Sequence, residues 1–347
     1  MNRFHPNFQL NGTSLSSRKE LVEFSSTISD SLYIFLKEWF SDEEVIRVKT
    51  SGSTGKPKNI ALKKEYMINS ANATGEFFQV KENTKALCCL PIEFIAGKMM
   101  VVRALTQGWH LDIIEPSSSP LLEIHQHYDF SAMVPLQVSN SLDKIHLIHK
   151  LIVGGGLVSD QLERSLKKTT TQVFVTYGMT ETITHIAVKP LNIGALTSQK
   201  SCYQVFPNIT IDIDYRSCLI IKAPQVSSEI IVTNDVVELI SETEFIWKGR
   251  FDNMINSGGI KFYPEVLERK LSSKINERFF VSGIPDEKLG EKLILVIEGD
   301  KYPLKYGEVF SKLTRFETPK EIFFINNFVE TETKKIQRQK TLDLLGL

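Results

Sequence analysis

The sequence predicts an α/β protein: a large layered α/β N-terminal domain with an antiparallel β subdomain, then a small, mobile α+β C-terminal domain. Three observations predict it. Over the first two thirds, stretches with helical spacing of apolar residues alternate with short apolar runs that stop at Gly or Pro, as buried strands of a layered sheet do. From Asn208 to Gly249 the pattern becomes a period-2 alternation with little helix. After Gly249 it changes again, which divides the 347 residues at 1–249 and 250–347.

The elements follow in order. "SDSLYIFLKEWF" from Ser29 and "KEYMINSANATGEFF" from Lys64 carry the helical spacing. "VIRVKT" from Val45 and "KNIALKK" from Lys58 read as two strands of one hairpin. "KALCCLPI", "FSAMVP", "HKLIVGGG" and "QVFVTYG" are the buried strands, and "EPSSSP", Glu115 to Pro120, is a turn-rich connection. Beyond the antiparallel stretch, "PEVLERKLSSKI" is a helix with Pro264 near its start, followed by strands in "RFFVSGI" and "KLILVIEG".

Composition narrows the function. Formal net charge is zero, so no global field recruits nucleic acid or an anionic membrane, and a small-molecule substrate is expected. Cys88, Cys89, Cys202 and Cys218 show no metal-ligand spacing; the vicinal pair sits in an apolar run, which suits buried free thiols in a reducing compartment. The N-terminal stretch lacks an apolar signal core and no segment approaches a membrane span, so the expected location is the cytoplasm.

The loop inside the first hairpin, "TSGSTGKPK" from Thr50, crowds Gly, hydroxyls and lysines into one tip. It is not a Walker A loop, because Pro57 stands where the motif needs Gly-Lys. Its parts are those of an anion cradle: Gly52 and Gly55 for close backbone approach, Thr50, Ser51, Ser53 and Thr54 as donors, Lys56 as charge. A flexible polar hairpin tip has the same composition, and the residues alone leave both open.

This loop resembles the phosphate-binding loop of the adenylate-forming superfamily, the acyl-CoA synthetases and their relatives, and further motifs follow in that family's order. "VTYGMTET" resembles its second core motif. That resemblance implies Tyr177 stacked on adenine beside Gly178, Thr180 on the α-phosphate and Glu181 holding Mg²⁺. "LIVGGGLVSD" resembles the glycine turn against adenine, at Gly154, Gly155 and Gly156. "IVTNDVVEL" resembles the Thr-Gly-Asp segment, with Asp235 accepting from ribose and Asn234 in place of the usual Gly. "WKGRFDNMINSGGIKFYPEVLE" resembles the hinge motif: Arg250 for ribose or phosphate, Asp252 as hinge, Gly258 and Gly259 in a turn beside the pantetheine channel. "TETKKIQRQK" resembles the stretch that delivers the catalytic lysine, here Lys335, with Lys334 in place of a Gly as a rival.

Only 49 residues precede Thr50, fewer than most members carry ahead of this loop. The short form resembles the o-succinylbenzoate-CoA ligases of menaquinone biosynthesis. In that branch a Gly followed six residues later by an Arg serves the substrate carboxylate, matched by Gly97 and Arg103, whereas Phe94 replaces a common His. Arg103 in an apolar helix is a costly buried charge that needs an anion, either the substrate or an internal Asp or Glu. The resemblance thus implies an AMP-forming ligase using ATP, Mg²⁺, coenzyme A and a small carboxylate; another aryl or fatty acid, or an inactive nucleotide-binding relic, are the rival readings.

Overall fold

The structure, a computed structural model, describes residues 4–49, 59–193, 202–331 and 335–347. At its start β1 (Gln9–Leu10) and β2 (Thr13–Ser14) pair across Asn11 and Gly12, both at positive φ, the Asn-Gly turn that suits a two-residue hairpin. Two capped helices follow. α1 (Arg18–Ser25) opens where the Ser17 hydroxyl accepts from the Glu20 N–H, and α2 (Asp30–Trp39) where Ser29 accepts from Leu32. The expected hairpin is present as β3 (Val45–Lys49) and β4 (Asn59–Lys63), with Val45 opposite Lys63.

α3 (Lys64–Phe78) then runs over the stretch expected to be helical and ends at Gln79, whose left-handed φ breaks it. β5 (Lys85–Cys88) leads into α4 (Ile95–Gln107), which stops at Gly108, also left-handed. Next come β6 (His110–Ile113), β7 (Tyr128–Met133), α5 (Pro135–Ser139), β8 (Ile148–Val153), α6 (Asp160–Leu166) and β9 (Gln172–Gly178). Strands β5 to β9 are all parallel. Alternate residues enter two cores: Ala86, Phe130, Ile152 and Phe174 join the face covered by α3 and α4, whereas Leu87, Leu151, Val153 and Val173 join Leu162 and Leu166 of α6. Burial on both faces explains why these strands read as unbroken apolar runs.

β10 (His185–Pro190) turns back antiparallel to β9. β11 (Tyr203–Val205), β12 (Thr210–Ile213), β13 (Cys218–Lys222), β14 (Ile231–Leu239) and β15 (Glu244–Arg250) continue the antiparallel pairing. The alternating region is therefore an extension of the parallel layer, not a separate sheet. Among the described residues this sheet has 13 strands in the order β12-β13-β14-β15-β11-β10-β9-β8-β7-β5-β6-β1-β2.

A second sheet begins past Arg250. β16 (Ile255–Ser257) and β17 (Ile260–Phe262) form a hairpin, and α7 (Pro264–Leu271) follows with Pro at its first position, where a missing N–H costs nothing. β18 (Phe279–Asp286), β19 (Gly290–Glu298), α8 (Tyr306–Val309), β20 (Glu321–Ile325) and α9 (Arg338–Leu344) complete it, with β19 between β18 and β20. Leu293, Leu295 and Ile297 of β19 pack under α7, and Ile294 and Val296 pack with Leu342 of α9. All four cysteines are buried; burial pushes the Cys88 thiol up to about 11 and Cys89 higher still. Among the described residues no helix is long and apolar enough to cross a membrane.

Candidate active site

The carboxyl ends of parallel strands are where open α/β sheets bind ligands. β8 and β9 end side by side there. Gly154 leaves β8 so close to its neighbour that an added Cβ would lie 2.5 Å from the Thr176 hydroxyl, and Gly155 takes φ +79°. Gly178 closes β9 under a tighter restraint, since its Cβ would stand 2.1 Å from the Thr184 carbonyl. Glycine is required at that point by a backbone collision. The glycine turn and the Tyr-Gly step therefore meet, as the motifs imply.

Tyr177 projects from the last turn of β9 toward β14. Its hydroxyl donates to Asp235 Oδ2 at 2.8 Å, while Trp247 Nε1 of β15 donates to Asp235 Oδ1 at 3.1 Å. Its ring meets Tyr203 and Phe245 edge to face. Burial, then the Asp235 charge, raises the Tyr177 pKa well above its ordinary value, so the phenol stays a donor. Asp235 faces Arg250 across the β14–β15 pair. Asn234 makes no turn; it lies within β14, where its side-chain oxygen accepts from Arg216 at 2.9 Å.

Arg250 donates to Asp252 Oδ2 at 2.6 Å, and its Nε is buried without a partner among the described residues. Burial opposes its charge, but the Asp252 hydrogen bond and the carboxylates of Asp235, Asp252 and Glu265 outweigh that and raise its pKa. Lys335 is half-buried, its N–H held by the Thr331 hydroxyl at 3.1 Å. Burial lowers its pKa, and the Arg250 charge lowers it further, which brings the lysine and Arg250 into one electrostatic neighbourhood.

Between β9 and β10 the chain makes a short 3₁₀ turn, Thr180–Thr182. Thr182 anchors it: its hydroxyl accepts from Met179 N–H and lies within hydrogen-bond reach of the Met179 and Thr184 carbonyls. Glu181 is exposed on this turn, and its carboxylate has no hydrogen bond or ion pair among the described residues. An exposed carboxylate without a partner among the described residues fits Mg²⁺, which takes one or two carboxylates and completes its shell with phosphate and water. No cluster of three or more His, Cys, Asp or Glu competes for a metal among the described residues.

Arg103, from the buried face of α4, is 2% exposed. Its Nε donates to Thr74 Oγ1 at 3.3 Å, one terminal nitrogen to Thr184 Oγ1 at 3.1 Å and the other lies 3.7 Å from Met100 Sδ. No carboxylate reaches it among the described residues, so the internal Asp or Glu is not found there. Burial lowers its pKa from the ordinary guanidinium value to about 10, which leaves it charged at neutral pH. Gly97 has a packing reason of its own, because a Cβ there would sit 2.2 Å from the Pro91 carbonyl. Phe94 caps α4 with extended backbone.

Gly258 and Gly259 form the β16–β17 turn with φ +60° and +81°, and Gly258 N–H donates to Leu289 O at 2.8 Å. Two successive positive φ values are what a two-residue hairpin needs. Its contacts stay within the C-terminal region. The phosphate-loop residues Thr50, Ser51, Gly52, Ser53, Thr54, Gly55 and Lys56, together with Lys334, lie outside the described residues.

Residues 45–234, more than half the chain, match the model of the AMP-binding enzyme family. The chain belongs to that family. It is similar to 2-succinylbenzoate–CoA ligase from Lactococcus lactis, 23% identical with 87% of this chain and 71% of that protein covered. An acyl-CoA synthetase (AMP-forming)/AMP-acid ligase II-like protein from Dyadobacter fermentans is 34% identical in a solved structure, with 91% and 93% covered and TM-score 0.60. The o-succinylbenzoate coenzyme A synthetase of Bacillus subtilis, solved with ATP and magnesium ion, shares the fold at TM-score 0.74 and 20% identity, over 94% and 82% of the chains.

Proposed function

We propose that this family member is an ATP-dependent acid–CoA ligase (AMP-forming), that its acid is o-succinylbenzoate, and that residues 250–347 move as a unit against 1–249. Arg103 carries the acid. A guanidinium buried among neutral partners lacks the anion that such a charge calls for, and it is tied through Thr184 to the turn bearing Thr180 and Glu181. A dicarboxylate meets both demands, with one carboxylate toward Arg103 and the other toward ATP. The names of the Lactococcus and Bacillus relatives support the same acid.

A carboxylate is a poor acyl donor because oxide is a poor leaving group. One carboxylate oxygen therefore attacks the α-phosphorus of ATP, and the bond to the bridging oxygen breaks as pyrophosphate leaves with that electron pair. In this reading Tyr177 lies against adenine along Gly154–Gly156, Asp235 accepts from ribose on lone pairs that Tyr177 and Trp247 leave over, and Arg250 meets ribose or phosphate. Thr180, Lys335 and the donors of Thr50–Lys56 stabilise charge on the phosphoryl oxygens by position and electrostatics. Mg²⁺ held at Glu181 would neutralise phosphate charge. Lys335 and Arg250 sharing one neighbourhood supports an arrangement suited to this half-reaction.

For the second half, a turn about Asp252 withdraws Lys335 and brings the Gly258–Gly259 hairpin to the adenylate. The thiolate sulfur of coenzyme A attacks the acyl carbon, the acyl–phosphate oxygen bond breaks, and AMP leaves. The test is ATP-dependent thioester formation with o-succinylbenzoate beside benzoate and a medium-chain fatty acid, following AMP and thioester by mass. Thioester from the dicarboxylate alone is the expected outcome. Turnover of another acid moves the substrate within the class, and AMP without thioester would place the acyl group on a different acceptor.

A further inference from the structure

Four polar side chains from three segments, α3, α4 and the entry to β10, close a ring on Arg103. Arg103 of α4 donates to Thr74 of α3 and to Thr184, and His185 at the start of β10 bridges the same two threonines: Nε2 is 3.2 Å from Thr74 Oγ1 and Nδ1 is 3.0 Å from Thr184 Oγ1. Hydrogen-bond accounting fixes the protons. Thr74 Oγ1 spends its hydrogen on the Ser70 carbonyl at 2.9 Å, so it accepts from both Arg103 and His185 Nε2–H. Thr184 Oγ1 accepts from Arg103 and from the His185 backbone N–H, so its own hydrogen goes to a bare His185 Nδ1. The ring closes with a neutral, Nε2–H imidazole and with no proton misplaced; burial and the Arg103 charge hold His185 well below its ordinary pKa.

Thr184 also closes a tight backbone turn. Ile183 before it has φ +65° and ψ −62°, and the Thr184 N–H donates to the Thr182 carbonyl at 2.7 Å. That is the strained form of a γ-turn, costly for a β-branched residue and kept only when its surroundings over-determine it. Buried Ile183, the Thr182 anchor and the clamp on Thr184 do so here.

We propose that His185 is a positioning residue for acid recognition: by gripping Thr74 and Thr184 together it fixes the Arg103 guanidinium fork at the angle from which it meets the substrate's second carboxylate. The proposal rests on the reading of Arg103 as the acid-binding cation. A guanidinium supported at one edge only would pivot, and misplacement of about 1 Å at such a contact costs on the order of 100-fold.

The test compares His185→Phe, which keeps volume and removes both bonds, with His185→Gln, which offers one amide donor and one carbonyl acceptor. In folded H185F the KM for o-succinylbenzoate should rise about 10- to 100-fold, with the KM for ATP moving less than about threefold and H185Q recovering most of the loss. The Arg103 Nε–H resonance, identified by its absence in R103K, should shift in H185F and return in H185Q. An acid KM unchanged in folded H185F, or acid and ATP KM values rising together without rescue by Gln, overturns the proposal. Should H185F not fold, the ring nitrogens of wild-type His185 decide: Nε2–H with bare Nδ1 is required, and the opposite tautomer sinks the clamp. The substrate reading fails separately. A wild-type enzyme inactive on o-succinylbenzoate, with the Arg103 resonance still moved in H185F, removes that acid and leaves the positioning role, whereas an unmoved resonance removes the role whatever the acid.

Discussion

At the proposed nucleotide side the Asp235 carboxylate accepts from Tyr177 and Trp247 and stands opposite Arg250, whereas at the proposed acyl side the Arg103 guanidinium meets only hydroxyls and a thioether among the described residues. One region arrives with its charges matched and the other with a charge unmatched. The contrast follows from what each side receives. A nucleotide offers hydroxyls and an aromatic face, which a satisfied carboxylate and a tyrosine recognise at small desolvation cost. A carboxylate brings its own charge, so a cation already held in place without a counter-ion gains its compensation only when the acid enters.

The largest expected effect lies at Lys335, the proposed catalytic lysine. Replacing it by Ala should lower adenylation about 10²- to 10³-fold, in line with removing one charge-stabilising donor, while thioester formation from supplied acyl-adenylate falls far less. Separate assays of the half-reactions check this, and equal losses would break the two-conformation reading. The pH dependence follows in sign. Burial and then Arg250 lower the Lys335 pKa, so its charge is lost as pH rises through a value below 10.5 and the adenylation rate should fall on that alkaline limb. The limb should be missing in K335A.

Next comes Arg103→Met, which separates activity from stability. The acid's kcat/KM should drop by about 100-fold while folding stability stays level or rises by ~1–4 kcal/mol, because a desolvated charge is replaced by a side chain of similar length. Linkage gives the same sign: the folded-state pKa of about 10 lies below the ordinary guanidinium value, so the unfolded chain binds the proton more tightly and the charge costs stability at neutral pH. Urea melts beside kinetics decide it; a clear loss of stability would mean that the cation is already compensated.

Arg103 was legible in the sequence as a charge inside the apolar run from Met99 to Leu105, six residues after Gly97, and Tyr177, Asp235 and Arg250 because their motifs keep order along the chain. Strands β5, β7, β8 and β9 were legible because burial on both faces leaves unbroken apolar runs, whereas β6, His-Leu-Asp-Ile with alternating burial, was not. What holds these side chains was not legible. Thr74 and His185 lie 111 positions apart and meet only after β9 and β10 pair, across a turn whose positive φ at Ile183 runs against the preference of a β-branched residue. Trp247 escaped notice because a register shift between Val236 and Val237 alters the simple cross-strand alternation that would have linked it to Asp235. The same β9–β10 pairing joins the antiparallel stretch to the parallel layer, so the change of period at Asn208 marks no break between sheets, whereas the change after Gly249 does.

Asp235→Asn tests the matched side directly. Losing the carboxylate should raise the KM for ATP about tenfold, the scale of one charged hydrogen bond, with the acid's KM little changed. It also removes the second cause of the raised Tyr177 pKa, so that phenol should ionise at lower pH than in the wild type. Tyrosinate absorbance against pH reads this without substrate. An unaltered titration would mean that burial alone sets Tyr177.

The smallest effect expected is at Trp247→Phe, and it sharpens the comparison most. The change deletes the 3.1 Å bond to Asp235 Oδ1 and keeps the aromatic volume in β15. A neutral donor lost from a carboxylate that retains Tyr177 costs ~0.5–1.5 kcal/mol, or about a two- to tenfold rise in the KM for ATP. The acid's KM should not follow, because no hydrogen bond of Trp247 reaches Arg103, Thr74, Thr184 or His185 among the described residues. Were both constants to rise together, the matched and unmatched sides would be one coupled network, and the division of labour between a satisfied carboxylate and an unsatisfied cation would have to be given up.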